Sequence, residues 1–307
     1  MVVSEGQEWP AYRALLSSGE LARRVERAYR MLEKCRVCPR VCGVNRLEDE
    51  RGECRTGRRA VVSSYHLHFG EEPPLVGWGG SGTIFFTHCS LHCQFCQNYE
   101  ISQLGEGTEV EVEELAAMML RLQQAGAHNI NLVTPTHVVP QILAALAVAA
   151  AAGLRIPLVY NSSGYDALPT LRLMDGVIDV YMPDAKYGDA EAAWNCSQVQ
   201  HYPRVNRLAL REMRRQVGDL QLDERGVARR GLIVRHLVLP EGLAGTAEVM
   251  RFLAEEISRD SYVNVMAQYR PCYRAGDYPP LRRRITVEEY QEAVDLARAH
   301  GLHRLAR

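Results

Sequence analysis

The chain has 307 residues, 47% of them hydrophobic, with 36 basic and 37 acidic side chains and a formal charge of −1. That length allows one large domain or two ordinary ones, and the near-neutral balance gives no electrostatic case for nucleic acid or an anionic membrane. The opening MVVSEGQEWP shows no basic start followed by an apolar run, and the alanine-rich stretch 142–152 is too short to cross a bilayer, so a cytoplasmic protein is expected.

In chain order, Leu21, Val25, Tyr29 and Leu32 recur at helical spacing and predict a helix over 19–32. Cysteine-bearing loops follow. GEEPPL at 70–75 reads as a Pro-rich hinge that closes an N-terminal segment, 1–75, ahead of a core spanning 76–307. From Ser81 onward, short β-branched or apolar runs alternate with helical stretches. The runs 83–86, 129–133, 157–160, 177–182, 232–239 and 262–266 predict strands. Helices are predicted over 112–124, 138–152, 168–174, 202–217 and 246–257, with a closing helix over 287–300. Such alternation implies an α/β fold with parallel strands and right-handed crossovers. Periodicity does not choose between an open doubly wound sheet and an incomplete barrel. LQLDERGVARRG at 220–231 predicts an inserted hairpin with its turn at 223–226. The chain has no internal repeat, and the run Arg282-Arg283-Arg284 reads as a solvated face.

Seven of the nine cysteines fall in two tight groups, which points to metal binding rather than disulfides in a reducing compartment. THCSLHCQFCQNYE places Cys89, Cys93 and Cys96 on the loop after the first predicted core strand. In parallel α/β folds, ligands gather at the C-terminal ends of the strands, so this loop is expected on the functional face. Structural zinc takes four protein ligands. A [4Fe–4S] cluster has four irons, so three thiolates leave one iron with an open site. The competing reading is a zinc site completed by His88 or His92.

The spacing C-x3-C-x2-C, with aromatic Phe95 before the last cysteine and a strand ahead of the loop, resembles the radical S-adenosylmethionine superfamily. The resemblance implies a partial (βα)6 barrel with a small cysteine-bearing N-terminal segment. It implies that Cys89, Cys93 and Cys96 hold a [4Fe–4S] cluster whose open iron chelates S-adenosyl-L-methionine. It also implies reductive cleavage of that cofactor to a 5′-deoxyadenosyl radical that takes a hydrogen from a substrate. Polar residues close the later strands: Asn161, Ser162 and Ser163; Asp184 and Lys186; Arg235; Gln268 and Arg270. These segments resemble the pyruvate formate-lyase activating enzymes, where an aspartate-threonine pair, a methionine-x-aspartate-x-lysine run and an arginine occupy the matching places. By that likeness Ser162, Asp184, Lys186 and Arg235 would contact the nucleoside or its methionine part, and Phe95 the adenine. Asn161 stands where the activating enzymes carry aspartate. A Gly-Gly-Glu run, which holds the methionyl amine in much of the superfamily, is replaced here by NLVTPTHVV, leaving Thr134, Thr136 and His137 as candidates for that contact. Gln268 completes the expected cofactor-binding set. A likeness over most of the chain to a subgroup grouped with those activating enzymes rests on CRVCPRVCGVNR, HFGEEPPL, GSGTIFF, CQFCQN and NLVTPTH.

Cys35, Cys38, Cys42 and Cys54 form a second group, C-x2-C-x3-C-x11-C, suited to a second Fe–S cluster or to zinc. Gly43 and Gly52 allow the tight backbone that such wrapping needs. Cys196 and Cys272 read as ordinary half-buried thiols. Three functions compete: a radical enzyme that installs a glycyl radical in a partner protein, one acting on a small molecule or peptide, and a non-catalytic metal scaffold or electron carrier. The first two call for an electron donor such as flavodoxin or ferredoxin.

Overall fold

The computed structural model describes residues 9–306; the N-terminal stretch read above for a signal falls almost wholly outside them. Two helices open the described chain, α1 (Tyr12–Ser17) and α2 (Glu20–Glu33). The strands are β1 (Ala60–His68), β2 (Ser81–Phe86), β3 (Thr108–Val110), β4 (Ile130–Val133) and β5 (Leu158–Ser162), then β6 (Val180–Pro183), β7 (Gln221–Leu222), β8 (Ala228–Leu237), β9 (Tyr262–Met266) and β10 (Arg304–Leu305). The remaining helices are α3 (Pro73–Val76), α4 (Val112–Gln124), α5 (Val139–Ala151) and α6 (Leu168–Leu173), then α7 (Ala190–Ser197), α8 (Tyr202–Val217), α9 (Thr246–Phe252) and α10 (Val287–Ala299).

The strands form one open, mostly parallel sheet in the order β10-β9-β8-β6-β5-β4-β2-β1-β3, with β7 paired to β8 alone. Each of the six runs read as strands falls on one of β2, β4, β5, β6, β8 and β9, and neighbours in that series pair in parallel. The hairpin foreseen over 220–231 is the β7–β8 pair, closed where Gly226 donates to the Asp223 carbonyl at 3.0 Å. Three features went unread. AVVSSYHLH forms β1, which runs antiparallel to β2 and carries β3 on its outer edge. The stretch taken as a hinge holds α3, whose first turn accepts Pro73 and Pro74 because the N–H groups they lack would have had no helical partner. AEAAWNCS forms α7, capped by the Asp189 carboxylate on Ala192 N–H.

Two sides of the sheet do different work. Ile84, Ile130, Leu132, Leu158, Tyr160, Tyr181, Leu232, Val234 and Val263 point to one side and join the main core beneath α2, α4, α5, α8 and α9. Helix α5 is apolar almost all round, and ten of its residues are buried, as a helix packed on several sides requires. Helix α10 is fixed by a capping box: Thr286 accepts from Glu289 N–H at 3.2 Å, and Glu289 accepts from Thr286 N–H at 2.8 Å. The alternate residues face the other side, here called the open face. Register places His66, Thr83, Asn131, Val159 and Val180 in one rung of it. Phe85, Val133, Asn161 and Met182 make the next rung, and Asp184, Arg235 and Asn264 a third. An apolar floor of Leu75, Val159, Val180, Met182 and Ile233 underlies the polar residues. No helix of the described residues is long and apolar enough to cross a membrane.

Candidate active site

The loop carrying Cys89, Cys93 and Cys96 leaves the C-terminal end of β2, the first of the parallel strands. Its shape is set by hydrogen bonds from four directions. Cys96 N–H donates to the Cys93 carbonyl at 3.2 Å, closing a turn around the last two thiols. His92 and Gln94 N–H groups donate to the carbonyls of Ser197 and Cys196 at the end of α7. The Arg274 N–H reaches the Gln94 carbonyl at 2.8 Å. His137 Nε2 donates to the Thr87 carbonyl at 2.9 Å, at the root of the loop.

Each sulfur has a donor beside it. Leu91 N–H points at Cys89 Sγ at 3.4 Å, the Ser197 hydroxyl donates to Cys93 Sγ at 2.9 Å, and Ser102 Oγ lies 3.0 Å from Cys96 Sγ. The Tyr187 hydroxyl donates to Ser197, which frees the serine proton for the sulfur. Burial pushes the Cys89 thiol up to about 12 and Cys93 to about 11; the ammonium of Lys186 pulls Cys93 back in part. Without a metal both are neutral thiols at physiological pH; a bound metal would supply the positive charge that makes them thiolates. Among the described residues no three His, Cys, Asp or Glu side chains converge as a single ion demands. A zinc ion would draw its sulfurs to about 2.3 Å from one centre, whereas a cubane seats each thiolate on a separate iron. The trio suits a cluster, which takes one thiolate per iron, whereas zinc needs a fourth ligand and His92 has both ring nitrogens engaged by Gln103 and Glu53.

Beside this loop lies an ion-pair array on the open face. Asp184 Oδ2 accepts from Lys186 Nζ at 2.6 Å, and Asp184 Oδ1 from Arg235 Nε at 3.0 Å. Arg235 also donates to Asn161 Oδ1 at 2.6 Å. Burial alone would raise the Asp184 carboxyl; the two cations outweigh it and hold it below the usual carboxylate range. For Lys186, burial lowers the ammonium and Asp184 raises it, with the carboxylate winning. Two carboxylates missed in the sequence complete the array. Glu71 Oε2 lies 3.8 Å from Arg235 and Glu71 Oε1 3.5 Å from Asn161 Nδ2. Glu72, next to α3, accepts from Asn264 Nδ2 at 2.7 Å. Both belong to the stretch read only as a hinge.

The other expected cofactor contacts separate. Phe95 is buried edge-to-face against Tyr269, with ring centres 5.7 Å apart. Thr134 sits at the end of β4 with φ of 60°. Its N–H donates to the Asn161 carbonyl at 2.9 Å. Ser162 points away from the open face: its hydroxyl is spent on Asp166 at 2.7 Å, a buried carboxylate that also takes Thr136 and Tyr160. His137 is buried beside the Arg46 guanidinium, which binds its carbonyl at 2.7 Å, and burial lowers its pKa to about 3. It is neutral and fastens the cysteine loop. Gln268 is exposed, and its carbonyl accepts from Gln97 Nε2 at 3.0 Å, tying the strand end to the residue after Cys96. Ser197 and Tyr187 were also missed, because nothing in NCSQ or in the tyrosine-rich stretch before it marks a partner for a distant cysteine.

Cys35, Cys38, Cys42 and Cys54 are free thiols, all buried except the half-buried Cys42. Burial pushes Cys38 up to about 12, and its three companion thiols, close enough to act on it, push in the same direction. The wrap is tight: a Cβ on Gly52 would lie 2.5 Å from Cys42 Sγ. Val41, between two of the cysteines, adopts φ of 45°, a left-handed conformation costly for a β-branched residue. This loop bolts onto the other one. Arg40 donates to the Ser90 carbonyl at 2.8 Å and the Gln198 carbonyl at 3.0 Å, and Glu53 pairs with His92 at 2.9 Å.

No family model matches the chain. Over 292 residues it is 34% identical to the uncharacterized protein MJ0674 of Methanocaldococcus jannaschii, across 91% of this chain and 78% of that one. The chain belongs to the same family. Among solved structures it is similar to HydG, a maturase of the [FeFe]-hydrogenase, with TM-score 0.47, 11% identity and 71% of this chain covered. It is also similar to Streptococcus suis SuiB, alone (TM-score 0.46, 12% identity, 71% covered) and bound to precursor peptide SuiA (0.45, 11%, 69%). This chain spans 45% to 48% of the length of those three chains.

Proposed function

We propose that this chain is a radical S-adenosylmethionine enzyme in which Cys89, Cys93 and Cys96 hold a [4Fe–4S] cluster with one iron open to the cofactor. The observation that carries the reading is the placement of a three-thiol loop at the C-terminal end of β2, beside the Lys186–Asp184–Arg235 array. When bound, the cluster supplies the electron that cleaves S-adenosylmethionine to methionine and a 5′-deoxyadenosyl radical, which takes a hydrogen from the substrate. The residues of the chain bind and orient. The planar guanidinium of Arg235 and the ammonium of Lys186 are suited to a carboxylate, while Asp184 keeps both cations fixed in a buried setting. Ser197, Ser102 and the Leu91 N–H stabilise sulfur charge. The buried pair Phe95–Tyr269 forms an apolar wall behind the loop.

The same reading gives Cys35, Cys38, Cys42 and Cys54 a second Fe–S cluster that relays electrons from a small donor such as flavodoxin or ferredoxin. The contacts of Arg40 and Glu53 with the first loop support it. The subgroup likeness implies a glycyl-radical partner protein; the polar residues of the open face support instead a substrate bound within the fold. The test is anaerobic reconstitution with iron and sulfide, followed by strong reductant and S-adenosylmethionine. The reading predicts 5′-deoxyadenosine and methionine in equal amounts, and none from Cys93→Ala.

A further inference from the structure

Arg46 is 1% exposed, and its charge has nothing to answer it. Nε donates to the Gly57 carbonyl at 3.0 Å and Nη1 to the His137 carbonyl at 2.7 Å. Nη2 is buried with no well-formed hydrogen bond, and the guanidinium makes no ion pair among the described residues. Carbonyls satisfy donors but carry no net charge, so a cation held this far from water is costly unless an anion is brought to it. Arginine does not escape the cost by releasing its proton.

Two neighbours do not supply the anion. Burial raises the Tyr29 hydroxyl, which keeps its proton, and buried His137 is neutral. The cysteine quartet does lie within reach. Cys35 N–H donates to the Val44 carbonyl at 2.9 Å, and Gly43 N–H to the Cys35 carbonyl at 3.0 Å, so Cys35 runs alongside the residues that lead into Arg46. Asn45 caps the short turn that begins at Arg46, accepting from Leu47 N–H at 3.1 Å, and so fixes where the arginine leaves the backbone. The guanidinium is close enough to act on Cys35: burial raises that thiol, and the Val37 N–H and Arg46 pull against it. A neutral thiol is a weak acceptor and leaves Nη2 unmet, whereas a thiolate is a strong one. Four thiolates outweigh the charge of a zinc ion or of an oxidised cubane core, so a loaded quartet carries net negative charge.

We propose that Arg46 is the charge partner of the metal centre held by Cys35, Cys38, Cys42 and Cys54: its guanidinium offsets the negative charge of the loaded quartet, raising metal affinity and, for an iron–sulfur cluster, favouring the reduced state. This role rests on the metal assignment of the quartet and not on radical chemistry at the other loop. The same side chain ties the two loops together, because His137, whose carbonyl it holds, donates to the Thr87 carbonyl two residues before Cys89. The planar fork serves two carbonyls and keeps a further donor for sulfur. Lysine shares the charge but not the fork, which lets the two contributions be told apart.

The experiment uses the full chain with Cys89, Cys93 and Cys96 changed to Ala, so that the quartet is the cysteine group left to bind metal. Zinc affinity is measured on the metal-free chain by competition with a chromophoric chelator. The potential of the chain reconstituted with iron and sulfide is measured by redox titration followed by paramagnetic resonance. Arg46→Gln, which keeps an amide donor and loses the charge, should weaken zinc by at least about tenfold. It should also move the cluster potential to a more negative value, since reduction adds negative charge that no cation then offsets. Arg46→Lys should recover most of both effects. Arg46→Met provides a second uncharged variant, and circular dichroism of the metal-free forms guards against a folding defect. Equal zinc affinity in the parent and Arg46→Gln would overturn the proposal. So would equal losses in Arg46→Gln and Arg46→Lys, which would reduce the arginine to a fastener of two carbonyls. A parent quartet that takes up neither zinc nor a cluster would remove the metal assignment and the role of Arg46 together. None of these outcomes touches the 5′-deoxyadenosine assay, which depends on the trio of the unmodified chain.

Discussion

Glu53 and His92 meet at 2.9 Å, joining the residue before Cys54 to the residue before Cys93. The pair is partly exposed, so its contribution to stability is small, of the order of 0–1 kcal/mol. Its consequence is positional: it holds the two cysteine loops in one arrangement. Glu53→Ala should lower the melting temperature little. It should slow 5′-deoxyadenosine formation several-fold when flavodoxin supplies electrons, yet leave the rate with dithionite unchanged. An equal loss with both reductants would remove the relay from the account.

Ser197 donates to the Cys93 sulfur. Hydrogen bonds to cluster sulfurs favour the reduced form, which carries more negative charge. Ser197→Ala should therefore shift the cluster potential to a more negative value, measured by redox titration followed by paramagnetic resonance. Ser197→Thr, which keeps the hydroxyl, should restore it. A variant with the same potential as the parent would mean that the hydroxyl serves only Tyr187.

Much of this arrangement was legible in the sequence because it is written locally. The β-branched runs at 129–133 and 262–266 and the helical runs between them needed no long-range information. The trio Cys89, Cys93, Cys96 follows its strand directly. The β1 strand was also written locally, in the alternation of AVVSSYHLH, but the neighbouring cysteines drew the reading toward loop. Glu71 and Glu72 were illegible for another reason. They sit beside two prolines, a turn signal, while their partners Asn161, Arg235 and Asn264 are far along the chain. Ser162 shows the converse failure: a residue type suited to nucleoside contact turned out to satisfy buried Asp166.

Asp179 gives a prediction about stability. It is fully buried and accepts from the Ala11 and Leu158 N–H groups at 3.1 and 3.2 Å. Burial pushes its carboxyl up to about 7, against about 3.9 for an unfolded chain. Between those values the folded chain keeps a proton that the unfolded chain has released. Its contribution is therefore present at acid pH and lost as pH rises from about 4 to 7, by up to about 1.4 kcal/mol per unit. Asp179→Asn should remove that slope, seen as a smaller fall in urea midpoint between pH 5 and pH 7.5. Parallel falls in parent and variant would contradict the assignment.

Cys38→Ala tests the division of labour between the cysteine groups. It should reduce bound iron by about half, since one four-iron cluster of two is lost. Cofactor cleavage with dithionite should continue, and the unfolding midpoint should drop. Unchanged iron content would show that the quartet holds another metal or none, which zinc analysis of the same sample would distinguish.

The most direct measurement uses a variant with Cys35, Cys38, Cys42 and Cys54 all changed to Ala, reconstituted and reduced anaerobically, with its paramagnetic resonance spectrum recorded before and after S-adenosylmethionine is added. The account predicts a reduced [4Fe–4S] signal whose g-values change on addition, because the cofactor ligates the iron left open by Cys89, Cys93 and Cys96. A signal from a four-iron cluster that S-adenosylmethionine leaves unaltered would contradict it.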